Sequence, residues 1–379
     1  MTVTRRARVI FYVQHLLGVG HQARAAALTR AMQSRGLKVG YVSGGFNEIA
    51  HDLGGAELIQ LPPARTADAT FTTLLDGAGR PTDAAWEDRR RRALLDAFDA
   101  IAPDVVLIES FPFGRRRFRF ELLPLLDAAR GHAAIAASVR DILVERDDPQ
   151  RTRWIVETLN HYFDAVIVHG DPDIATLGDS FAGAAAIAGL IRYSGYVANG
   201  PPLRRTARGD EVVVSAGGGA VGGPLLRTAL AARPLTRRPD APWRLFTGPN
   251  LPNAERIALV AAPGVTIETF HADFNDILSA AAVSISQAGY NTVMDLLMTR
   301  TRAVLVPFAA AGETEQSRRA KILAERGYFQ VVPEANLSPE SLAAAIERAH
   351  QAPPPDPAAI DFNGAAQSAK IIAELAAGR

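Results

Sequence analysis

The sequence predicts an α/β protein with two doubly wound domains, each built on a parallel sheet that helices cover on both faces. Apolar, strand-length runs alternate with helix-length amphipathic segments through most of the 379 residues, which is the pattern of crossover units. This rhythm stops at "YSGYVANGPPLRRTARGD", a segment rich in Gly, Pro and charge, and then starts again. The chain is long enough to form two cores, so we place a linker there.

In the first half, strands are predicted at "ARVIFYV", "KVGYV", "DVVLIES", "HAAIAAS" and "DAVIVHG", and a helix from about Gly20. This first domain is predicted to span residues 1–195, with the linker over 196–210. In the second half, strands are predicted at "EVVVSAGGGAVGG", "WRLFTGP", "GVTIETF", "AAVSISQAG", "RAVLVPF" and "GYFQVVP". They predict a second domain over 211–352. Residues 353–379 are predicted to form a terminal helix that packs back across the domains.

Composition excludes several classes of function. With 41 basic and 40 acidic residues the net charge is +1, so nucleic acid is not an expected partner. The absence of cysteine excludes disulfides, thiolate nucleophiles and cysteine-ligated zinc. No apolar run reaches the roughly 18 to 20 residues that span a bilayer, and the first strand leads to a glycine turn rather than a cleavage site. We expect a cytoplasmic protein, with peripheral contact at the inner face of the membrane as a further expectation.

The turn after the first strand, "GVGHQARAAAL", places Gly18 and Gly20 before a helix whose first turn contains His21. Glycines let a ligand approach the main chain, and the free N–H groups of a helix start favour an anion. The same letters satisfy a relaxed dinucleotide fingerprint, which also needs an acidic residue at the end of the second strand. That strand ends in "SGG", so a nicotinamide cofactor is disfavoured.

The second half has a similar turn. The loop "SAGGGAVGG" contains Gly217, Gly218 and Gly219 and lacks the Lys-Ser/Thr ending of a P-loop. Further on, "SISQAGYNTVMDLL" and "GETEQSRRA" follow two more strands. Asn291 and Thr292 are predicted to cap the helix there, with Asp295 in its first turn. Because the carboxyl ends of parallel strands meet at one edge, these polar residues indicate a ligand site.

The block "SQAGYNTVMDLL…VLVPF…GETEQSRRA", together with "GVGHQARA", resembles glycosyltransferase family 28. The resemblance implies the GT-B architecture, with two facing Rossmann-like domains that bind acceptor and nucleotide-sugar respectively. It implies that Gly217 to Gly219 contact a diphosphate, that Asp295, where the family usually has Glu, holds ribose hydroxyls, and that Glu315 and Gln316 bind the sugar. The remaining donor-side candidates are Phe270, His271, Gln287, Gly289, Asn291 and Thr292.

The general base has three candidates. His21 has a suitable resting pKa, Glu109 in "VVLIESFPFG" ends a strand and would act as base or orient His21, and Asp141 in "SVRDIL" ends another. Arg115, at the start of the arginine-rich run "RRRFRF", is an acceptor-side candidate that would capture a phosphate or face anionic lipid. Asp171, in "DPD", is predicted to cap a helix rather than to bind a metal.

The leading hypothesis is a hexosyltransferase that inverts configuration without a metal and uses a nucleotide-sugar, preferably a UDP-sugar, as co-substrate. No cofactor is expected, and the acceptor is a small molecule, a glycan or a lipid-linked compound. Two alternatives share the fold, a nonhydrolysing sugar-nucleotide epimerase and a nucleotide-sugar hydrolase. A third, of another class, is a noncatalytic sugar-nucleotide-binding protein.

Overall fold

The computed structural model describes residues 5–16, 20–46, 52–66, 73–198, 208–219, 221–309 and 312–378. Contacts divide the chain into two compact units, the first comprising residues 1–197 and 361–379 and the second residues 198–360. Most of the predicted linker, and Gly18 of the first glycine turn, lie outside the described residues.

The strands of the first unit, within its described part, are β1 (Arg8–Val13), β2 (Lys38–Ser43), β3 (Glu57–Gln60), β4 (Arg65–Thr66), β5 (Leu74–Leu75), β6 (Val105–Glu109), β7 (Ala134–Arg140), β8 (Ala165–His169) and β9 (Ile191–Tyr193). Its helices are α1 (Gly20–Ser34), α2 (Ala84–Ile101), α3 (Arg119–Ala129) and α4 (Pro149–Tyr162), with 3₁₀ turns at Arg116–Phe118, Leu177–Asp179 and Ala184–Ile187. The main sheet has the order β3-β2-β1-β6-β7-β8-β9, and every pair in it is parallel. β4 and β5 pair antiparallel beside it.

The centre of this sheet is also the place where the strand order reverses. β1 is buried from Val9 to Val13, as expected of an apolar run in a parallel sheet with both faces covered. It pairs with β2 on one side and β6 on the other, and its register matches Tyr12 with Ile108. The two strands therefore end side by side, and Glu109 lies at the edge where the turn into α1 begins. Open α/β sheets bind ligands at this point.

In the second unit the described strands are β10 (Val212–Ser215), β11 (Trp243–Phe246), β12 (Val265–Glu268), β13 (Val283–Ser286), β14 (Ala303–Leu305) and β15 (Gln330–Val331). The helices are α5 (Gly223–Ala232), α6 (Asn253–Ile257), α7 (Phe274–Ala280), α8 (Tyr290–Met298), α9 (Glu315–Glu325) and α10 (Pro339–Gln351), with 3₁₀ turns at Arg233–Leu235, Glu334–Asn336 and Pro357–Ala359. The sheet is parallel throughout, in the order β12-β11-β10-β13-β14-β15.

The second sheet also reverses at its centre, between β10 and β13. The register matches Ser215 with Ser286, so the glycine loop after β10 and the loop beginning at Gln287 leave the sheet at the same level. The predicted α/β class with two parallel sheets is confirmed.

The last helix, α11 (Gly364–Ala377), belongs to the first unit. Its Ala369 and Ile372 are buried in one core cluster with Val9 and Phe11 of β1. Together with α1, which it contacts, this helix covers one face of the first sheet.

The structure differs from the sequence prediction at Asp171, which begins a turn rather than capping a helix. Its Oδ1 accepts a hydrogen bond from the Asp173 N–H at 3.0 Å, and its Oδ2 accepts one from the Asp361 N–H at 3.1 Å. The side chain thus joins the loop after β8 to the segment that leads into α11, a long-range contact that the local sequence does not reveal.

Candidate functional site

In the first unit, one buried carboxylate lies next to a histidine and two arginines at the carboxyl edge of the sheet. The Glu109 side chain is 1% exposed, and its Oε1 lies 2.6 Å from His21 Nδ1 and 2.5 Å from Arg24 Nη2. Arg115 Nη2 lies 3.8 Å from the other carboxylate oxygen. His21 is in the first turn of α1, and Arg24 is one turn further along the same helix face. The predicted partners His21 and Glu109 are therefore in direct contact.

Burial and charge determine how this pair is protonated. Burial lowers the pKa of His21 to about 4, against the opposing effect of Glu109 and with a further lowering by Arg115 and Arg140. Burial also acts to raise the pKa of Glu109, but His21, Arg24 and Arg115 hold it well below its ordinary value. At neutral pH Glu109 is ionised and His21 is neutral. Since a carboxylate only accepts hydrogen bonds, the ring proton is assigned to Nδ1, and Nε2 keeps its lone pair.

No hydrogen bond from the described part of the chain uses His21 Nε2, and the His21 side chain is 19% exposed. A neutral imidazole that is oriented on one nitrogen and open on the other is able to take a proton from a hydroxyl group. Asp141, the third candidate base, is buried immediately after β7.

Arg115 faces inward at the same edge of the sheet. Its Nε donates to the backbone oxygen of Gln14 at 2.6 Å, and its backbone is left-handed, with φ at 59°. Phe118 in this run, and Phe111 and Phe113 just before it, are buried in the core of the first unit, and Phe120 packs against that core, so these rings are not membrane anchors. A lipid-facing role for the run would therefore have to depend on its arginines.

In the second unit, the glycine loop after β10 packs closely against the turn after β11. Gly217 has φ at +70°, and Gly248 in the neighbouring turn has φ at +74°. A Cβ on Gly248 would lie 2.1 Å from the Gly217 carbonyl oxygen, whereas one on Gly217 would meet no heavy atom of the described residues within 4 Å. Asn250 Nδ2 donates to the Gly218 carbonyl oxygen at 2.7 Å. Part of the glycine requirement is thus internal packing, while Gly217 borders open space.

The loop after β13 leads into α8 without the predicted cap. Gly289 has an extended backbone and precedes the first helical residue, Tyr290. Asn291 and Thr292 therefore lie in the first turn and Asp295 in the second, so the prediction that they cap the helix was wrong. The physical reason is that the extended Gly289 precedes the helix, so that the helix begins at Tyr290, two residues earlier than it would with Asn291 as its cap. Gln287, the first residue of this loop, is 9% exposed.

Among the described residues, the Asp295 carboxyl group has few polar contacts that would offset the cost of burying its charge. Asn275 on α7 donates to its Oδ1 through Nδ2 at 3.3 Å. Burial raises the pKa of Asp295 to about 7, and this hydrogen bond only partly opposes the rise. A partly buried carboxyl that titrates near neutral pH is typical of functional sites.

Glu315 and Gln316 begin α9 and hold the same loop from the other side. Gln316 Oε1 accepts from two backbone N–H groups, that of Ala288 at 3.0 Å and that of Phe308 at 3.1 Å. Its oxygen is thus engaged, and no hydrogen bond from its amide N–H groups to the described residues is seen. Glu315 is 2% exposed and pairs with Arg319 Nη2 at 2.9 Å. The predicted sugar-binding pair therefore also braces the loop.

Arg319 completes this contact. Its Nη1 donates to the Ala288 carbonyl oxygen at 3.2 Å, and its guanidinium lies 5.6 Å from the centre of the Tyr290 ring. The remaining donor-side candidates follow β12. The Phe270 side chain is 70% exposed, and His271 Nδ1 accepts a hydrogen bond from the Asp273 N–H at 3.1 Å. An exposed aromatic ring beside polar groups is able to stack on a flat ligand.

Four residues of these two sites escaped the sequence prediction: Arg24, Asn250, Asn275 and Arg319. Spacing offered a signal for two of them, since Arg24 follows His21 by three residues and Arg319 follows Glu315 by four, the spacings of neighbours on a helix. The two asparagines meet their partners across 32 and 20 residues of chain, and no local pattern indicates such contacts.

The described ranges contain no cluster of three or more His, Cys, Asp or Glu side chains that could hold a metal ion. None of their helices is long and apolar enough to cross a membrane.

The second unit and most of α11 resemble a known family. Residues 216–375 match the family model "Glycosyltransferase family 28 C-terminal domain". This part of the chain is thus similar to the C-terminal domain of family 28. The match covers the glycine loop, α8 and α9, and it continues into α11. The predicted resemblance to family 28 is confirmed.

Several curated relatives share the name UDP-N-acetylglucosamine--N-acetylmuramyl-(pentapeptide) pyrophosphoryl-undecaprenol N-acetylglucosamine transferase. That of Marinobacter nauticus is 30% identical over 151 residues, 39% of this chain and 41% of the relative. That of Mesorhizobium japonicum is 38% identical over 88 residues, 23% of this chain and 24% of the relative. The chain thus aligns with less than half of the length of these relatives.

Solved structures resemble the chain over nearly its whole length. The calicheamicin glycosyltransferase CalG4 has a TM-score of 0.64 at 18% identity, with 99% of both chains covered. MurG of Acinetobacter baumannii has a TM-score of 0.57 at 15% identity, with 98% of this chain and all of that chain covered. These similarities confirm the GT-B fold.

Proposed function

We propose that the protein is an inverting glycosyltransferase that moves a hexosyl group from a nucleotide diphosphate sugar to an acceptor hydroxyl, without a metal ion or cofactor. The observation that carries the proposal is the 2.6 Å contact between His21 and the buried Glu109, in a chain whose second unit is similar to the C-terminal domain of family 28. An alcohol needs a base when it attacks a sugar, and a carboxylate-oriented, neutral imidazole supplies one.

In the proposed reaction, His21 Nε2 takes the proton of the acceptor hydroxyl while the hydroxyl oxygen forms a bond to the anomeric carbon of the sugar. The bond between that carbon and the diphosphate oxygen breaks, and its electron pair leaves with the diphosphate. Attack from the face opposite the leaving group inverts the configuration. Glu109 holds the Nδ1 proton and stabilises the imidazolium that forms, as in other oriented-histidine sites.

The second unit would bind the donor. The backbone around Gly217 would approach the diphosphate, the amide N–H groups of Gln316 would donate to the sugar, and Asp295 with Asn275 would meet ribose hydroxyls. Backbone amides and helix starts stabilise a leaving phosphate without a cation. We favour a UDP-sugar because the curated relatives are named for UDP-N-acetylglucosamine. A lipid-linked acceptor at the cytoplasmic face of the membrane would suit the same relatives.

The proposal is tested by incubating the protein with a panel of nucleotide-sugars, with and without acceptors, in buffer containing EDTA. We expect nucleotide release that depends on the acceptor and persists with EDTA. His21→Ala should lower turnover by about 10² to 10⁴-fold while leaving donor affinity, measured by calorimetry, unchanged. A matched control is His132→Ala, an exposed histidine in the turn between α3 and β7.

Each other outcome has a defined meaning. Equal nucleotide release with and without acceptor indicates a hydrolase, and conversion of the sugar without release indicates an epimerase. Donor binding without any chemistry indicates a binding protein. Loss of turnover in EDTA that is restored by magnesium overturns the metal-independent mechanism.

A further inference from the structure

The Glu109 carboxylate serves two partners on one oxygen atom. Oε1 is the nearest atom both to His21 Nδ1, at 2.6 Å, and to Arg24 Nη2, at 2.5 Å. The Arg24 side chain is 2% exposed and that of Glu109 is 1% exposed, so water does not screen this pair. Arg24 Nη2 is also 3.4 Å from His21 Nδ1. The arginine is thus next to the one contact that orients the imidazole.

The charge of Glu109 decides which ring nitrogen of His21 carries the proton. A buried carboxylate with no cation beside it would draw a proton, because burial disfavours the charged form. If Glu109 were neutral, it would present an O–H group as well as acceptor lone pairs, and the preference for Nδ1–H on His21 would be lost. The Arg24 guanidinium does not release its proton at ordinary pH, so it keeps the Glu109 carboxylate charged. It also donates a hydrogen bond to Oε1.

We infer that Arg24 is the positioning residue of the His21–Glu109 pair: it keeps Glu109 ionised, so that His21 carries its proton on Nδ1 and presents Nε2 as the acceptor. Arg24 acts through Glu109 and not on a substrate. Only the kinetic effect of Arg24 rests on the proposed function. The tautomer of His21 is a property of the protein without substrate and does not depend on that function.

Other charged groups near the pair are part of the same balance. Arg115 and Arg140 both lower the pKa of His21, and Arg115 also acts on Glu109. The charge of Glu109 acts to raise the pKa of Tyr41 on β2. For His169 on β8, Arg24 acts to lower the pKa and Glu109 acts to raise it. Arg115 is farther from the carboxylate than Arg24 and faces Oε2. Arg24 is therefore the cation that shares an oxygen with His21.

The test measures the tautomer and the pKa of His21 by ¹⁵N NMR in the substrate-free, full-length protein. Wild type and the control Arg30→Met, on the same helix but hydrogen-bonded to the Asp52 carbonyl oxygen, should show the Nδ1–H form. In Arg24→Met, we expect a mixture of tautomers and a His21 proton affinity that changes by tenfold or more. Arg24→Lys, which keeps the charge, should remain close to wild type.

Arg24→Met leaves a buried carboxylate with less compensation, and such a change can cost enough stability to unfold a domain. The double variant Arg24→Met/Glu109→Gln removes both charges, and comparison with Glu109→Gln completes a double-mutant cycle. If Arg24 acts through Glu109, its removal should have little effect on His21 in the Glu109→Gln background. An equal shift of the His21 pKa in both backgrounds, or a folded Arg24→Met that keeps the Nδ1–H form and the wild-type pKa, overturns the inference.

The kinetic arm separates this inference from the proposed function. In an active transferase, Arg24→Met should lower kcat by tenfold or more while the KM for donor stays the same. If no donor and acceptor pair reacts but the NMR results are as expected, the proposed function fails and the role of Arg24 stands.

Discussion

Replacing Asp295 with Asn should stabilise the ligand-free protein at alkaline pH. The structure raises the pKa of Asp295 from 3.8 to about 7, so in the window between these values the folded protein holds a proton that the unfolded chain has lost. Stability therefore falls as the pH rises through this window, and it stays reduced above pH 7. Asn carries no charge at any pH and avoids this loss.

The size of the effect follows from the shift. A change of about 3 units at about 1.4 kcal/mol per unit sets a ceiling of about 4 kcal/mol. Asp295 is only partly buried, so solvent screening reduces this, and we expect roughly half the ceiling, about 2 kcal/mol. For a unit of this size, such a gain corresponds to a Tm increase of roughly 4 to 8 °C.

Thermal unfolding at pH 4 and pH 8 provides the assay, with Asp276→Asn as the control, an exposed carboxylate on the neighbouring α7. We expect Asp295→Asn to match wild type at pH 4 and to exceed it at pH 8, and the control to differ from wild type at neither. Equal Tm values at pH 8, or a lower one for Asp295→Asn, would refute the argument that burial without a charge partner governs this carboxyl. The same variant should bind a nucleotide more weakly if Asp295 meets ribose hydroxyls.

Three further predictions concern other residues. Because burial lowers the pKa of His21 to about 4, kcat/KM of the Asp295→Asn variant, in which the carboxyl with a pKa of about 7 is absent, should stay level from pH 7 down to about 5 and fall only near pH 4; a fall with an apparent pKa of 6 to 7 in this variant would exclude His21 as the base. Gly248→Ala should lower the Tm more than Gly217→Ala, since both glycines have positive φ but only at Gly248 would a Cβ meet a backbone oxygen, and the Gly217 change should cost only about 1 to 2 kcal/mol; similar Tm losses would contradict this. Arg319→Met should cost about 3 to 5 kcal/mol in chemical unfolding because it removes the cation that pairs with the buried Glu315, and the double variant with Glu315→Gln should recover part of that loss; no recovery would show that Arg319 stabilises through its other contacts, such as that with the Ala288 carbonyl oxygen.

Local pattern predicted the strands and the strand-to-helix turns well. An apolar run such as that of β1 has no stable place except a sheet covered on both faces, and a glycine-bearing turn after it marks the carboxyl edge. The prediction failed at Asp171 and at Asn291, where a capping residue type was taken as the start of a helix. At both positions a contact or a backbone conformation outside the local pattern decided the outcome: Asp361, far along the chain, for the first, and the extended Gly289 for the second.

The amino-acid sequence alone determined that this protein has two parallel α/β units, because hydrophobic periodicity and turn chemistry act over a few residues. It also indicated which loops hold polar groups at the sheet edges, including His21 and Glu109. Only the tertiary structure decided that these two side chains are in contact, that Arg24 shares their carboxylate oxygen, and that Asp295 forms no ion pair with any residue that the structure describes. Those facts depend on burial and on distances between residues about 90 positions apart, and electrostatic interactions across such separations are set by the packed fold rather than by neighbours in the chain.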